Sequence, residues 1–274
     1  MGQSLRGLAS GGFRAALLRF VRRRPRAAAA LLLLALSGPA AAAAWDASRN
    51  AELLRGDPDL LPGKPALMAF ALPRGRRGFQ AYCAACHGSD GRGDSDIGAP
   101  NLADQDWLYG SGKVGEIETV ILYGVRAAHP KTWKLAQMPA YAQGLPYPRE
   151  PALKPLSPGD IRDVTAFLLS IEGRAPASDA SRRGSAIFAG RGGCYDCHGA
   201  DAHGDPGVGA PNLADNIWLY GSGSPDEIFA SIAYGHAGVC PAWAGRLQPA
   251  EIREIALYVH SISDRPAQIK GGGA

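Results

Sequence analysis

Apolar residues recur at helical spacing in two stretches of the second half of the chain. Ile161, Val164, Phe167, Leu168 and Ile171 would share one helix face, as would Ile252, Ile255, Val259 and Ile262. Ser157-Pro158 ahead of the first stretch suits an N-cap followed by Pro at the first helical position. Further helices are predicted around 116–123 and 227–234, and a short one precedes or includes each of two C-x-x-C-H segments. Strand signals are scarce, and Gly and Pro fill the long loops between helices. The pattern predicts an all-α fold. Near the N-terminus it changes: a basic cluster at 22–26 precedes an apolar run at 27–36, then Ser37, Gly38, Pro39 and Ala40 to Ala44. That order is an export signal, residues 1–44, with cleavage expected after Ala44. An uncleaved anchor is the rival, interrupted by the Gly-Pro pair. Residues 45–72, with several Pro and Gly, are expected to be an irregular lead-in.

The chain repeats itself. Residues 83–124 align without a gap to 194–235, and 25 of those 42 positions are identical. Both copies carry C-x-x-C-H-G, then G-A-P-N-L-A-D, then W-L-Y-G-S-G. Met138-Pro139-Ala140-Tyr141 matches Cys240-Pro241-Ala242-Trp243, and Leu156-Ser157-Pro158 matches Leu247-Gln248-Pro249. The first copy is longer before and after Met138, and the later insertion, with Pro146, Pro148, Pro151 and Pro155, reads as a surface loop. The expected organisation is a first domain at 73–172, a linker at 173–180, a second domain at 181–264 and a flexible tail at 265–274. Units of this size with three short helices have modest cores, which something large and apolar at the centre would help to fold.

The formal charge of +4 invites a nucleic-acid partner, but seven Arg and no acid fall within the first 44 residues. The remainder carries 22 basic and 25 acidic residues, a net of −3, which excludes a basic binding surface in the folded part. Five Cys are too few for a disulfide scaffold, and the odd count leaves one outside any pairing.

Cys83-Ala84-Ala85-Cys86-His87 and Cys194-Tyr195-Asp196-Cys197-His198 have the form of c-type haem attachment motifs. Two thiols three apart on a helical turn reach the two vinyl groups of one porphyrin, and the following His supplies the proximal imidazole. A redox C-x-x-C would not need that His, and a zinc site would need further ligands that this spacing does not offer. Two covalently bound haem c groups are expected, with attachment behind an export signal and hence a periplasmic location. The carbonyls of the turns ending in Pro100 and Pro211 are candidates to orient His87 and His198. Trp107, Tyr109, Trp218 and Tyr220 are expected to line the haems or donate to their propionates.

Met138, in a loop 51 residues after His87, is expected to be the distal ligand of the first haem iron, where a thioether raises the potential. Cys240 occupies the aligned place in the second copy. Cys240, or His236 four residues before it, would ligate the second iron, or that iron would be five-coordinate; Cys240 could also bridge two chains.

Together these segments resemble the diheme subunit III of cbb3-type cytochrome c oxidases, over about 79–263. The resemblance implies two tandem class I cytochrome c domains passing electrons in a respiratory chain, with an oxidase, a dehydrogenase or a quinol–cytochrome c reductase as redox partner. Two departures stand out: the family's N-terminal membrane anchor is replaced by what reads as a cleavable signal, and the second distal Met by Cys240. A thiosulfate dehydrogenase-like enzyme with a Cys-ligated haem, and the cytochrome subunit of a periplasmic dehydrogenase, are the alternatives. Membrane contact would come through an oxidase complex or an uncleaved N-terminus.

Overall fold

The computed structural model describes residues 25–134, 136–143 and 154–263, without the side chains of 25–37. The basic cluster at 22–24, most of the Pro-rich insertion and the tail at 265–274 lie outside the described residues. The chain divides into two units, 1–52 and 53–274.

The described part of the first unit, residues 25–52, lies within helix α1, Pro25–Arg55. It runs without a break through Gly38-Pro39 and through the Ala44–Trp45 junction. The expected interruption at Gly38-Pro39 is therefore absent. Pro39 costs one backbone hydrogen bond, and the Ala run after it has the highest helix propensity of any residue. Near its end Arg49 pairs with Glu52 at 2.9 Å and lies over the Trp45 ring. Among the described residues, no helix is long and apolar enough to cross a membrane.

The second unit begins with a 3₁₀ turn, Pro58–Gly63. The first repeat then forms α2 (Pro65–Tyr82), α3 (Ala84–His87), α4 (Val114–Tyr123) and α5 (Pro158–Ile171). The second forms α6 (Asp179–Ala189), α7 (Tyr195–His198), α8 (Pro225–Tyr234) and α9 (Pro249–Ser263). Only isolated bridges, and no strands, occur among the described residues. Residues 45–72 are thus helical rather than irregular. Pro58 and Pro65 stand at helix starts, where a missing N–H costs nothing. Ser157 caps α5 as expected: its hydroxyl accepts from the Asp160 amide while Asp160 accepts from the Ser157 amide.

The repeats do not fold separately. Helix α5, which closes the first repeat in sequence, packs on α6 and α8 of the second. Helix α9, which closes the second, packs on α2 and α4 of the first. The two cores follow this exchange. Phe79, Val114 and Ile117 are buried with Ile255, Leu257, Val259 and Ile262. Ile161, Val164 and Leu168 are buried with Ile187, Phe188, Ile228 and Ile232. The boundary expected at 173–180 therefore cuts through a helical hairpin: residues 172–178 turn the chain straight from α5 into α6. So short a connection makes sequential helices antiparallel neighbours, and α9 is left to pair with α2.

Both crossings are built alike. A Cβ on Gly75 of α2 would strike the Glu254 carbonyl of α9, and one on Gly184 of α6 would strike the Asp163 carbonyl of α5. Glu254 and Asp163 are equivalent positions on the two closing helices. Each crossing brings two backbones into contact, and only Gly allows that approach.

Candidate functional site

The first C-x-x-C-H begins directly after α2 and the second after the short stretch 190–193 that follows α6, and each forms a single helical turn, α3 or α7. The His87 Nδ1–H donates to the Pro100 carbonyl at 3.0 Å, and the His198 Nδ1–H to the Pro211 carbonyl at 2.9 Å. These bonds hold the tautomer that leaves Nε2 free as a metal ligand. Burial lowers the pKa of both imidazoles, with the carbonyl bond opposing it, which favours the neutral ring a metal needs.

The distal segments cross over. Met138 lies in the wall of a cavity shared with Cys194, Cys197 and His198. The sequence predicts that Met138 pairs with His87, but the structure places it beside the second motif and the second core. Backbone pairing holds it there: Met138 and His236 exchange hydrogen bonds at 3.0 and 3.1 Å, and the Tyr141 amide donates to the Ile232 carbonyl. Cys240 makes the reciprocal move. It exchanges backbone hydrogen bonds with Val125 at 2.9 and 3.0 Å, and the Trp243 amide donates to the Ile121 carbonyl. Its thiol lies within electrostatic reach of Cys83 and Cys86. Burial, with Cys86 adding to it, pushes the Cys240 thiol up to about 11. Cys240 thus faces the first motif, not the second.

His236 lines the cavity of the second motif, but its Nε2 is engaged with the Ser231 hydroxyl at 2.9 Å and its ring lies flat on Tyr220 at 3.6 Å. It forms wall rather than a free donor.

The W-L-Y-G segments also reach across. The Tyr109 ring fills the space that a side chain at Gly209 would take, and Tyr220 does the same at Gly98. The Gly110 amide donates to the Pro206 carbonyl and the Gly221 amide to the Ser95 carbonyl. Each tyrosine therefore covers the other repeat's G-A-P turn. Trp107 packs on the first core and Trp218 on the second.

The residues fit haem c on observations of the structure itself. The second cavity is walled by Val164, Leu168, Phe188, Ile228 and Ile232, with the two thiols and the oriented imidazole at one side. Trp218 Nε1, buried in that wall, has no hydrogen-bond partner among the described residues. An unspent indole donor at the edge of an apolar cavity suits a carboxylate of the porphyrin. Among the described residues, no group of three or more His, Cys, Asp or Glu could hold a bare metal ion.

Arg126 escaped the sequence reading. It donates to the Gly238 carbonyl at 2.6 Å, the Ala136 carbonyl at 2.9 Å and the Tyr109 hydroxyl at 3.2 Å, joining both distal segments. It does so from a left-handed backbone, φ 49°, which costs a non-Gly residue about 1–2 kcal/mol. The only signal in the sequence is that the aligned position is Ala237.

Residues 72–172 match the cytochrome c family, and residues 179–259 match the family of cytochrome c oxidase, cbb3-type, subunit III. Over 202 residues the chain is 43% identical to the cbb3-type cytochrome c oxidase subunit FixP of Bradyrhizobium sp. (strain ORS 278), covering 72% of this chain and 63% of that protein. It is 40% identical over 227 residues to FixP of Bradyrhizobium diazoefficiens, covering 78% and 71%. It is 36% identical over 212 residues to the subunit CcoP of Cereibacter sphaeroides, covering 77% and 68%. The chain spans about two thirds of the length of these relatives.

Proposed function

The chain belongs to the family of cbb3-type cytochrome c oxidase subunit III and carries two covalently bound haem c groups, and from that premise we propose a periplasmic relay whose two haem centres are each completed by the other repeat. Cys83 and Cys86 hold one haem, with His87 proximal and Cys240 distal. Cys194 and Cys197 hold the other, with His198 proximal and Met138 distal. The observation that carries this reading is the crosswise placement of the Met138 and Cys240 segments.

Haem c supplies one-electron iron chemistry, and the protein sets its potential through ligand and surroundings. Met138 offers a neutral thioether that favours the ferrous state. Cys240 offers a sulfur that, as thiolate, would favour the ferric state. Pro100 and Pro211 aim the proximal imidazoles, and the apolar walls keep water from the iron. Electrons would enter from a quinol–cytochrome c reductase or a soluble cytochrome and leave toward oxidase components at the membrane.

The test uses the full chain. A Cys194→Ser, Cys197→Ser variant keeps the haem at Cys83 and Cys86. It should lack the Met-to-iron charge-transfer band at the red end of the visible spectrum. A Cys83→Ser, Cys86→Ser variant should retain that band and lose it on Met138→Ala. A band in the first variant that Met138→Ala removes would show that the ligands are not exchanged.

A further inference from the structure

Glu172 ends helix α5 with its side chain fully shielded from solvent. One carboxylate oxygen accepts from Arg174 Nη1 at 2.9 Å, and Arg174 Nη1 also donates to the Gly223 carbonyl at 2.7 Å. The other oxygen, Oε1, is buried with no partner among the described residues. It shares a pocket with Trp218, whose Nε1 also lacks a partner among the described residues, and with Asp215, Asn216 and Ser222. A buried acceptor and a buried donor, each unsatisfied, face one space, and leaving both so would cost about 1–3 kcal/mol apiece. Trp218 is also the wall between this pocket and the haem cavity of Cys194, Cys197 and His198.

The charged groups that face Glu172 are Arg174 and Asp215, and the Ser222 hydroxyl is tied to Glu227. Burial pushes the Glu172 carboxyl above its ordinary range, Arg174 pulls it back, and the Asp215 charge adds to the rise. A haem carboxylate accepting from Trp218 Nε1 would be a third acid beside one guanidinium. Such a cluster holds a proton, because adjacent like charges disfavour full ionisation.

We propose that Glu172 is a redox-linked proton site for the haem held by Cys194 and Cys197. On reduction, one electron arrives from the donor protein and one proton from water, and an O–H bond forms at the Glu172 carboxyl, which then donates to the haem carboxylate. On oxidation the electron leaves to the acceptor and the proton returns to water. Among the described residues, no carboxylate takes the equivalent place on α9. The position equivalent to Glu172 on α9 is Ser263, whose hydroxyl donates to the His260 carbonyl at 2.8 Å. The proposal rests on the haem assignment above. A missing haem would show as a lost spectrum, whereas a failed proposal leaves both spectra intact.

The experiment is a redox titration of the diheme protein across pH, with each haem followed by its own spectrum. In the wild-type protein, the midpoint potential of the Met-ligated haem should fall as pH rises across the window between the oxidised- and reduced-state pKa values of Glu172. The other haem should not follow it there. Glu172→Gln keeps an oxygen for Arg174 and should flatten that slope. Asp215→Asn should keep the slope but move it to lower pH. Reduction of unbuffered wild-type protein with an indicator dye should show proton uptake within that window. A slope that survives in Glu172→Gln overturns the proposal. So does the absence of both slope and proton uptake in the wild-type protein, which needs no variant to fold.

Discussion

The lobe around Cys83, Cys86 and His87 and the lobe around Cys194, Cys197 and His198 share their framework and differ in their chemistry. Each has a helix before its motif, a glycine at the helix crossing and a Pro carbonyl on its imidazole Nδ1. Yet the first lobe faces Cys240 and the second faces Met138. The first sets Arg74 against Glu254 where the second sets an exposed Arg183 against Asp163, and the first also buries an Arg253–Glu118 ion pair. The second carries Glu172 where the first carries Ser263. The difference teaches that duplication preserved what attaches and orients a haem. The sulfur side chains beside the two motifs diverged, on segments that the repeats exchange. Because of that exchange, a substitution in one repeat should be felt at the haem of the other.

The largest break in the comparison should come from Arg253→Met. Arg253 holds Glu118 at 2.6 Å and the carbonyls of Leu53 and Gly56 at 2.8 and 3.2 Å, on a side chain that is 8% exposed. Removing it leaves a shielded carboxylate without its partner, so urea denaturation should show a loss of about 3–5 kcal/mol. An unchanged midpoint would mean that solvent reaches Glu118.

Cys240→Met should sharpen the comparison by making the lobes alike. A second Met-to-iron band should appear, the two midpoint potentials should converge, and the change should fall on the haem attached at Cys83 and Cys86. A change confined to the other haem would count against the crossed assembly. The smallest effect belongs to Arg183→Ala. Its bidentate bond to Asp163 lies at the surface, where screening removes most of an ion pair's worth, so thermal denaturation should be unchanged within error.

Much of the site was legible because its chemistry is local. The two thiols and the imidazole lie within one helical turn, and Pro100 and Pro211 follow each motif at a fixed short distance. The apolar faces of α5 and α9 were legible for the same reason, since helical periodicity depends on near neighbours alone. Other features were harder to read. The Pro residues of 45–72 suggested irregular chain, yet two of them start helical segments and Pro73 sits inside α2. Glu172 and Trp218 lie 46 residues apart in sequence and gain meaning only in sharing a pocket.

By itself, the sequence determined two C-x-x-C-H motifs and their haem c groups, a duplicated helical unit, and a Met and a Cys at aligned positions. Which of the two sulfur side chains lies beside which motif was decided only by the tertiary structure. Helices α5 and α9 offer equivalent apolar faces, so burial energy alone does not choose between their partners. The seven-residue turn from α5 into α6 fixes one pairing, close packing of Gly184 on the Asp163 carbonyl and of Gly75 on the Glu254 carbonyl seats both, and Met138 and Cys240 are carried across with the helices they precede.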